Sequence, residues 1–167
     1  MCVIYVGRDA GDVRSFYTAA YPQLVRVLAL AAGDVAEAEE VVQEAFVRLL
    51  PRWATVGGYD DPEAWVRKVA FRLLANRQRR ARVARRLLPT LVRAHTPSPS
   101  SDRVDVSRAL ATLPLSQREV VVLHHLLDLP VEQVAAELGV PIGTVKSRLA
   151  RARSALTPLL GLEVADV

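Results

Sequence analysis

One cysteine, Cys2, stands in the 167 residues of this chain. No internal disulfide can form from it, and no zinc site can be built from cysteine pairs. A reducing compartment such as the cytoplasm suits a chain of this kind. No uninterrupted apolar run approaches the ~20 residues that a membrane span needs, so no membrane contact is expected. The N-terminus lacks a basic region followed by an apolar core, so no signal peptide is expected either. Aromatics are scarce, at 5% of the chain, while Ala, Leu, Val and Arg dominate. That bias favours small helical units over a sheet sandwich. There is no phosphate-cradling glycine loop and no Ser/His/Asp order that suggests a nucleophile. His124 and His125 have no Cys or carboxylate at ligand spacing, and Asp61 is better explained as a helix cap than as half of a catalytic pair with Asp60. No enzymatic activity, metal or cofactor is therefore expected.

Acid is also missing from two long stretches. From Arg67 to Arg86 the chain carries Arg67, Lys68, Arg72, Arg77, Arg79, Arg80, Arg82, Arg85 and Arg86 without an acid among them. From Ile142 to Ala155 it carries Lys146, Arg148, Arg151 and Arg153, again without acid. The formal net charge is only +4, so the clustering says more than the total. Two separate basic stretches are the footprint of a polyanion binder.

The pattern is all-α: two small helical domains, residues 11–88 and 102–160, joined by a flexible linker at 89–101. In the first domain Phe16, Ala19, Ala20, Leu24, Val27 and Leu28 recur at helical spacing, with a kink or late start expected at Pro22. Gly33-Asp34 ends that helix and caps the next, whose stripe is Val35, Ala38, Val41, Val42, Ala45, Phe46 and Leu49. Ala54 to Asp60, with Gly57-Gly58, is expected to be a loop. Asp61-Pro62 starts a third helix on Trp65, Val66, Val69, Ala70, Leu73 and Leu74. The linker's Thr96-Pro97-Ser98-Pro99-Ser100-Ser101 has little to bury. Its length and composition allow the two domains to close on each other.

In the second domain Val106, Leu110 and Leu113 face one way, and Ser116 to Glu119 has the spacing of a capping box. A helix on Val131, Val134, Ala135 and Leu138 ends at Gly139, and another runs from Ile142 to about Leu156, stopped by Pro158. Short helices with a glycine turn before the last are helix-turn-helix grammar. In that motif the first helix braces and the second enters the major groove. Thr144, Lys146, Ser147, Arg148, Arg151 and Arg153 offer the donors that meet base edges and phosphates.

Three segments of the second domain carry a specific resemblance: Leu115-Ser116-Gln117-Arg118-Glu119, Val134-Ala135-Ala136-Glu137-Leu138-Gly139, and Gly143-Thr144-Val145-Lys146-Ser147-Arg148-Leu149-Ala150-Arg151-Ala152-Arg153. Together they resemble the C-terminal DNA-binding domain of bacterial sigma factors, most of all the extracytoplasmic-function (ECF) group. In the first domain, Glu37-Ala38-Glu39-Glu40-Val41-Val42-Gln43-Glu44-Ala45-Phe46 resembles the family's acidic helix. Asp61-Pro62-Glu63-Ala64-Trp65-Val66-Arg67 resembles the start of its −10-reading helix. The resemblance implies a subunit that carries core RNA polymerase to promoters and has no chemistry of its own.

The same resemblance distributes the roles. Gln43, Glu44 and Arg48 would dock on a coiled coil of the polymerase β′ subunit, with the β subunit as a further partner. The −35 element would be read by the last helix. The −10 element would be read and melted by Trp53, Tyr59, Arg67, Lys68, Arg72, Asn76, Arg79 and Arg80, since an unpaired strand needs cations for phosphate and flat faces for bases. An anti-sigma protein is a further implied partner. The family commonly has Asn near Arg72 and Asp near Asn76, and this chain departs at both. Pro141 stands where many members have a capping Ser. Two other functions fit parts of the pattern: a duplex-binding regulator with an N-terminal sensing unit, and a helical adaptor with no nucleic-acid role. A sensing unit does not need the basic run after Trp65, and an adaptor has no reason to place an acid-free basic face on the helix after a glycine turn.

Overall fold

The computed structural model describes residues 12–87 and 101–160, and among these no residue lies in a strand. Helix α1, Val13–Ala32, begins at Asp12, whose carboxylate accepts from the Arg14 N–H at 3.1 Å. It buries Phe16, Ala20, Leu24, Val27, Leu28 and Ala31, one stripe at helical spacing. Ala19 is exposed, so the buried stripe passes to one side of it. Pro22 lies inside the helix rather than at its start. The Thr18 carbonyl that loses its partner there is on an exposed residue, where water can replace the bond. Gly33 closes α1 at φ 80°, the left-handed conformation that glycine takes without a Cβ penalty.

Asp34 then caps α2, Val35–Leu49, accepting from the Ala36 N–H at 2.8 Å and the Glu37 N–H at 3.3 Å. The expected stripe is buried from Ala38 onward, while Val35 is exposed. A single 3-10 turn, Leu50–Arg52, passes into the short helix α3, Trp53–Val56. The loop expected from Ala54 is therefore confined to the residues after Val56, whose side chain is buried and pins the turn to the core. Asp61 accepts from the Ala64 N–H at 2.9 Å and opens α4, Pro62–Leu87. Val66, Ala70, Phe71, Leu73 and Leu74 are buried along it. From residue 75 to residue 86 no α4 residue is buried, as the thinning of its apolar face implied.

Of the expected linker, residues 89–100 lie outside the described residues, and Ser101 already begins α5, Ser101–Ala111. Ala109, Leu110 and Leu113 are buried, whereas Val106 is exposed. Helix α6, Leu115–Val121, takes Pro114 rather than Ser116 as its N-cap and has no capping side chain. The capping box expected there does not form, because Glu119 is turned into the protein and is 7% exposed. The helix widens into a π turn, Val122–Leu126, which places both Val122 and Leu123 in the core. Asp128 follows with φ 53°, a conformation that Asp tolerates better than most residues. His124 Nδ1 sits 2.7 Å from the Leu129 carbonyl. A carbonyl only accepts, so Nδ1 carries the proton, and the residue is a structural clip. Helices α7, Val131–Leu138, and α8, Ile142–Leu160, complete the chain. Pro158 falls in the last turn of α8, where it forfeits one bond without ending the helix.

The two helical units are closed on each other. Helix α1 packs against α5, α6 and the π turn, and α4 packs against α7. The buried apolar residues of both units, from Phe16 to Ala152, form one continuous cluster.

Candidate nucleic-acid interface

The turn between α7 and α8 has the geometry its sequence calls for. Gly139 lies at φ 68° and its N–H donates to the Ala135 carbonyl at 2.9 Å. Val140 donates to the same carbonyl at 3.1 Å. Pro141 leaves its carbonyl to accept from Thr144 at 2.9 Å and Val145 at 3.2 Å, so the helix starts without the serine cap. Val145, Leu149 and Ala152 are buried and fix α8 by one stripe. Lys146, Arg151 and Arg153 are exposed; Thr144, Ser147 and Arg148 are half-buried. The Ser147 hydroxyl is satisfied locally by the Thr144 carbonyl at 3.0 Å.

Helix α4 treats its cations differently. Arg67 is 4% exposed. Its Nε and Nη2 donate to the two carboxylate oxygens of Glu137 on α7, at 2.7 and 2.6 Å. Glu63 and Asp61 stand 3.4 and 3.6 Å from the same guanidinium. Burial works against the charge, but the Glu137 bonds and surrounding carboxylates outweigh it and hold the guanidinium above its usual pKa. Gln133 braces Glu137 from the same helix at 3.2 Å. Lys68 donates to the Ala136 carbonyl at 3.0 Å. Arg72, Asn76, Arg79 and Arg80 are exposed. Tyr59 is 49% exposed, in the loop before α4. Trp53 is half-buried, its ring 5.1 Å from that of Phe16, so one aromatic face is already covered.

Between the two units lies a cleft of about 600 Å³, into which Arg72 and Arg79 of α4 and Arg148 of α8 all turn, over Glu119 and Glu137. Burial pushes the Glu119 carboxyl up to about 7, against the pull of Arg148 and Arg118. Arg118 is held below the usual arginine range by its own burial, and its Nε has no hydrogen-bond partner.

On α2, Gln43 and Arg48 are exposed and Glu44 is half-buried. Glu44 is held between Arg48 at 2.7 Å and Arg77 of α4 at 3.0 Å, and Arg77 reaches Glu40 at 2.8 Å. The hydrogen bond from Arg77 is the main reason that the Glu44 carboxyl lies below its usual range. Tyr17, Tyr21 and Phe46 form an aromatic group beside this face, with Gln43 Nε2 3.4 Å from the Tyr21 hydroxyl.

The sequence placed Arg67 and Arg77 in a single acid-free basic run, read Glu119 as the end of a capping box and gave Glu137 no pairing role. A signal for Arg67 was available: it shares the i, i+3, i+4, i+7 stripe with Ala70, Phe71 and Leu74. Glu137 lies three residues after Val134, and Glu119 four before Leu123, both on buried stripes. Among the described residues no group of His, Cys, Asp and Glu could hold a metal ion, and no helix is long and apolar enough to cross a membrane.

Comparison with known proteins follows the same division. Residues 16–84 match the family described as sigma-70 region 2, and residues 103–156 match sigma-70, region 4. The chain is 32% identical over 157 residues to the ECF RNA polymerase sigma factor SigL of Mycobacterium tuberculosis, covering 89% of this chain and 88% of that one. It is 31% identical over 134 residues to SigC of the same organism, covering 74% and 70%. In fold it is similar to the sigma factor RpoE of Bartonella quintana, solved in complex with the anti-sigma factor NepR, with a TM-score of 0.77, 24% identity, and coverage of 90% and 97%.

Proposed function

We propose a division of labour among the residues of this chain, which belongs to the ECF group of RNA polymerase sigma factors. As a sigma factor it binds core polymerase and gives it promoter specificity at initiation. Residues 16–84 are the polymerase-docking and −10-reading unit, and residues 103–156 the −35-reading unit. In the first, Gln43, Glu44 and Arg48 meet the β′ coiled coil. Arg67, Lys68, Arg72, Asn76, Arg79 and Arg80 follow the backbone of the melted −10 strand, and Tyr59 is a better stacking platform for an unpaired base than the half-covered Trp53. In the second, α8 enters the major groove, with Thr144, Lys146, Ser147 and Arg148 nearest the bases and Arg151 and Arg153 on phosphate. The chain works in the cytoplasm beside polymerase, performs no chemistry of its own, and is a target for an anti-sigma protein.

The observation that carries the reading is the α7–turn–α8 geometry: a left-handed Gly139 and a recognition helix locked by Val145, Leu149 and Ala152 with its basic side chains off that stripe. The test is reconstituted transcription from a promoter library with core polymerase. Polymerase plus the chain should select promoters sharing two spaced elements that core polymerase alone ignores. Selection of a single element, or of none, would overturn the assignment of two readers.

A further inference from the structure

A buried ion pair between the two units ties up residues that the proposed DNA contacts would need. Arg67 meets Glu137 through two short hydrogen bonds, both side chains about 95% removed from solvent. Lys68 is spent on the Ala136 carbonyl. The next cation along that face, Arg72, lies under the turn of the second unit, its Nη2 3.9 Å from where a Cβ at Gly139 would be. Arg148, the α8 cation with the planar fork for guanine, lines the same cleft as Arg72 and Arg79. A carboxylate with two oxygens offers arginine what a phosphate offers it, so Glu137 satisfies Arg67 in the way that a backbone phosphate could.

We propose that the Arg67–Glu137 pair is a latch that holds the free chain closed and unable to bind a promoter, with the brace helix α7 of the −35 reader covering the −10-reading face of α4. This rests on the assignment of Arg67 and Lys68 to the melted strand. The latch makes the two readers mutually exclusive with their own closure. Opening frees Arg67, Lys68 and the cleft arginines in one step. Core polymerase, by holding the units apart at promoter spacing, would supply the differential binding that the open state requires. The face carrying Gln43 and Arg48 remains exposed in the closed chain, so docking does not have to wait for opening.

The test uses the full chain and two readouts: small-angle scattering for closure, and affinity for a fluorescent single-stranded DNA of mixed sequence. Glu137→Gln should expand the chain and raise strand affinity by roughly tenfold, as follows if the open form is about a tenth of the population. Glu132→Gln removes the same charge from an exposed position on the same helix, and should do neither. Glu137→Asp keeps the charge but withdraws it by one methylene; it should give a smaller effect of the same sign, and it stands in if Glu137→Gln loses helical circular dichroism. An unchanged scattering profile in Glu137→Gln and Glu137→Asp would overturn the latch. Expansion with no more affinity gained than in Glu132→Gln would overturn inhibition by the latch. Adding Arg67→Ala to Glu137→Gln separates the underlying assignment: persistence of the whole gain would remove Arg67 from the strand contact while leaving the latch in place.

Discussion

Helices α4 and α8 look alike in sequence, each carrying an acid-free stretch rich in arginine, yet they use their charge in different ways. In α8 the cations Lys146, Arg151 and Arg153 point to solvent and make no ion pair within the described residues. In α4 Arg67, Lys68 and Arg77 are all engaged within the chain, Arg67 buried on Glu137, Lys68 on the Ala136 carbonyl, and Arg77 at the surface on Glu40 and Glu44. The difference lies in stripe position. A cation on the solvent side of a helix remains available, whereas a cation on the buried stripe must find a carboxylate or be expelled. Counting basic residues therefore overstates the free charge of α4, and that of α8 only by Arg148, which lines the cleft beside Glu119.

The contrast is broken most sharply at Arg67. Arg67→Ala leaves the Glu137 carboxylate buried without its cation, only Gln133 still donating to it, and should cost the closed form about 3–5 kcal/mol. Arg151→Ala, on the exposed side of α8, should stay within about 0.5 kcal/mol. Urea unfolding of both variants measures the gap, and amide exchange in α7 shows whether the loss is taken as opening of the seam. Equal, small effects would mean that the seam is not held by this pair.

Glu119 sharpens the same point from the acidic side. Its carboxyl is raised from 4.5 to about 7 by burial, so the folded chain holds this proton more tightly than the unfolded chain does. Stability from this residue is thus greatest below the ordinary glutamate range and falls as pH rises from 4.5 to about 7. Glu119→Gln removes the titration. It should gain up to roughly 3 kcal/mol over the parent at pH 8 and nothing at pH 4. Denaturation curves at several pH values decide this; a pH-independent difference would place the carboxylate in a well-solvated site.

Arg148 tests whether α8 charge is used for reading sequence. Arg148→Ala should cost roughly 1–3 kcal/mol and relax preference at one position of the upstream element. Arg153→Ala should weaken all promoters alike, because a phosphate contact carries no base identity. A promoter-library transcription assay separates the two. A uniform loss for Arg148→Ala would make it a backbone contact and move the base reader to Thr144, Lys146 or Ser147.

Local signals proved the most legible in the sequence. Gly33, Asp34, Asp61 and Gly139 end and begin helices as their chemistry requires, because a cap depends on residues within one turn. The helix-turn-helix and its outward cations followed from spacing alone. What failed was also local but competed with tertiary packing. Ser116 and Glu119 have capping-box spacing, yet Glu119 is carried into the protein on the buried stripe it shares with Leu123. Pro22 should disturb α1, yet a stripe from Phe16 to Ala31 keeps the helix in one piece. The pairing of Arg67 with Glu137 joins residues 70 positions apart, and no periodicity announces a partner at that distance. Closure of the domains could be anticipated from the linker, but not its seam, which joins a shared apolar core to a buried ion pair.

Among the ion-paired cations the smallest effect is expected at Arg77, where α4 charge is spent at the surface rather than in the seam. Its side chain is 33% exposed, and its partners Glu40 and Glu44 are 69% and 35% exposed. Solvent screens such a network, so Arg77→Gln should lower stability by no more than about 1 kcal/mol. The sign of its pH dependence is opposite to that of Glu119. Hydrogen bonding from Arg77 depresses the Glu44 carboxyl, so the stabilisation is present above the ordinary glutamate range and is lost as pH falls through the depressed value. The parent and Arg77→Gln should thus differ at pH 7 and converge in acid. Convergence at high pH instead would mean that the Arg77 bridge does not hold Glu44. If the bridge does hold it, polymerase affinity should fall more than stability does, because Glu44 would lose the cation that fixes its carboxylate on the docking face. Titration of the variant against core polymerase, beside the unfolding curves, reads both numbers from one preparation.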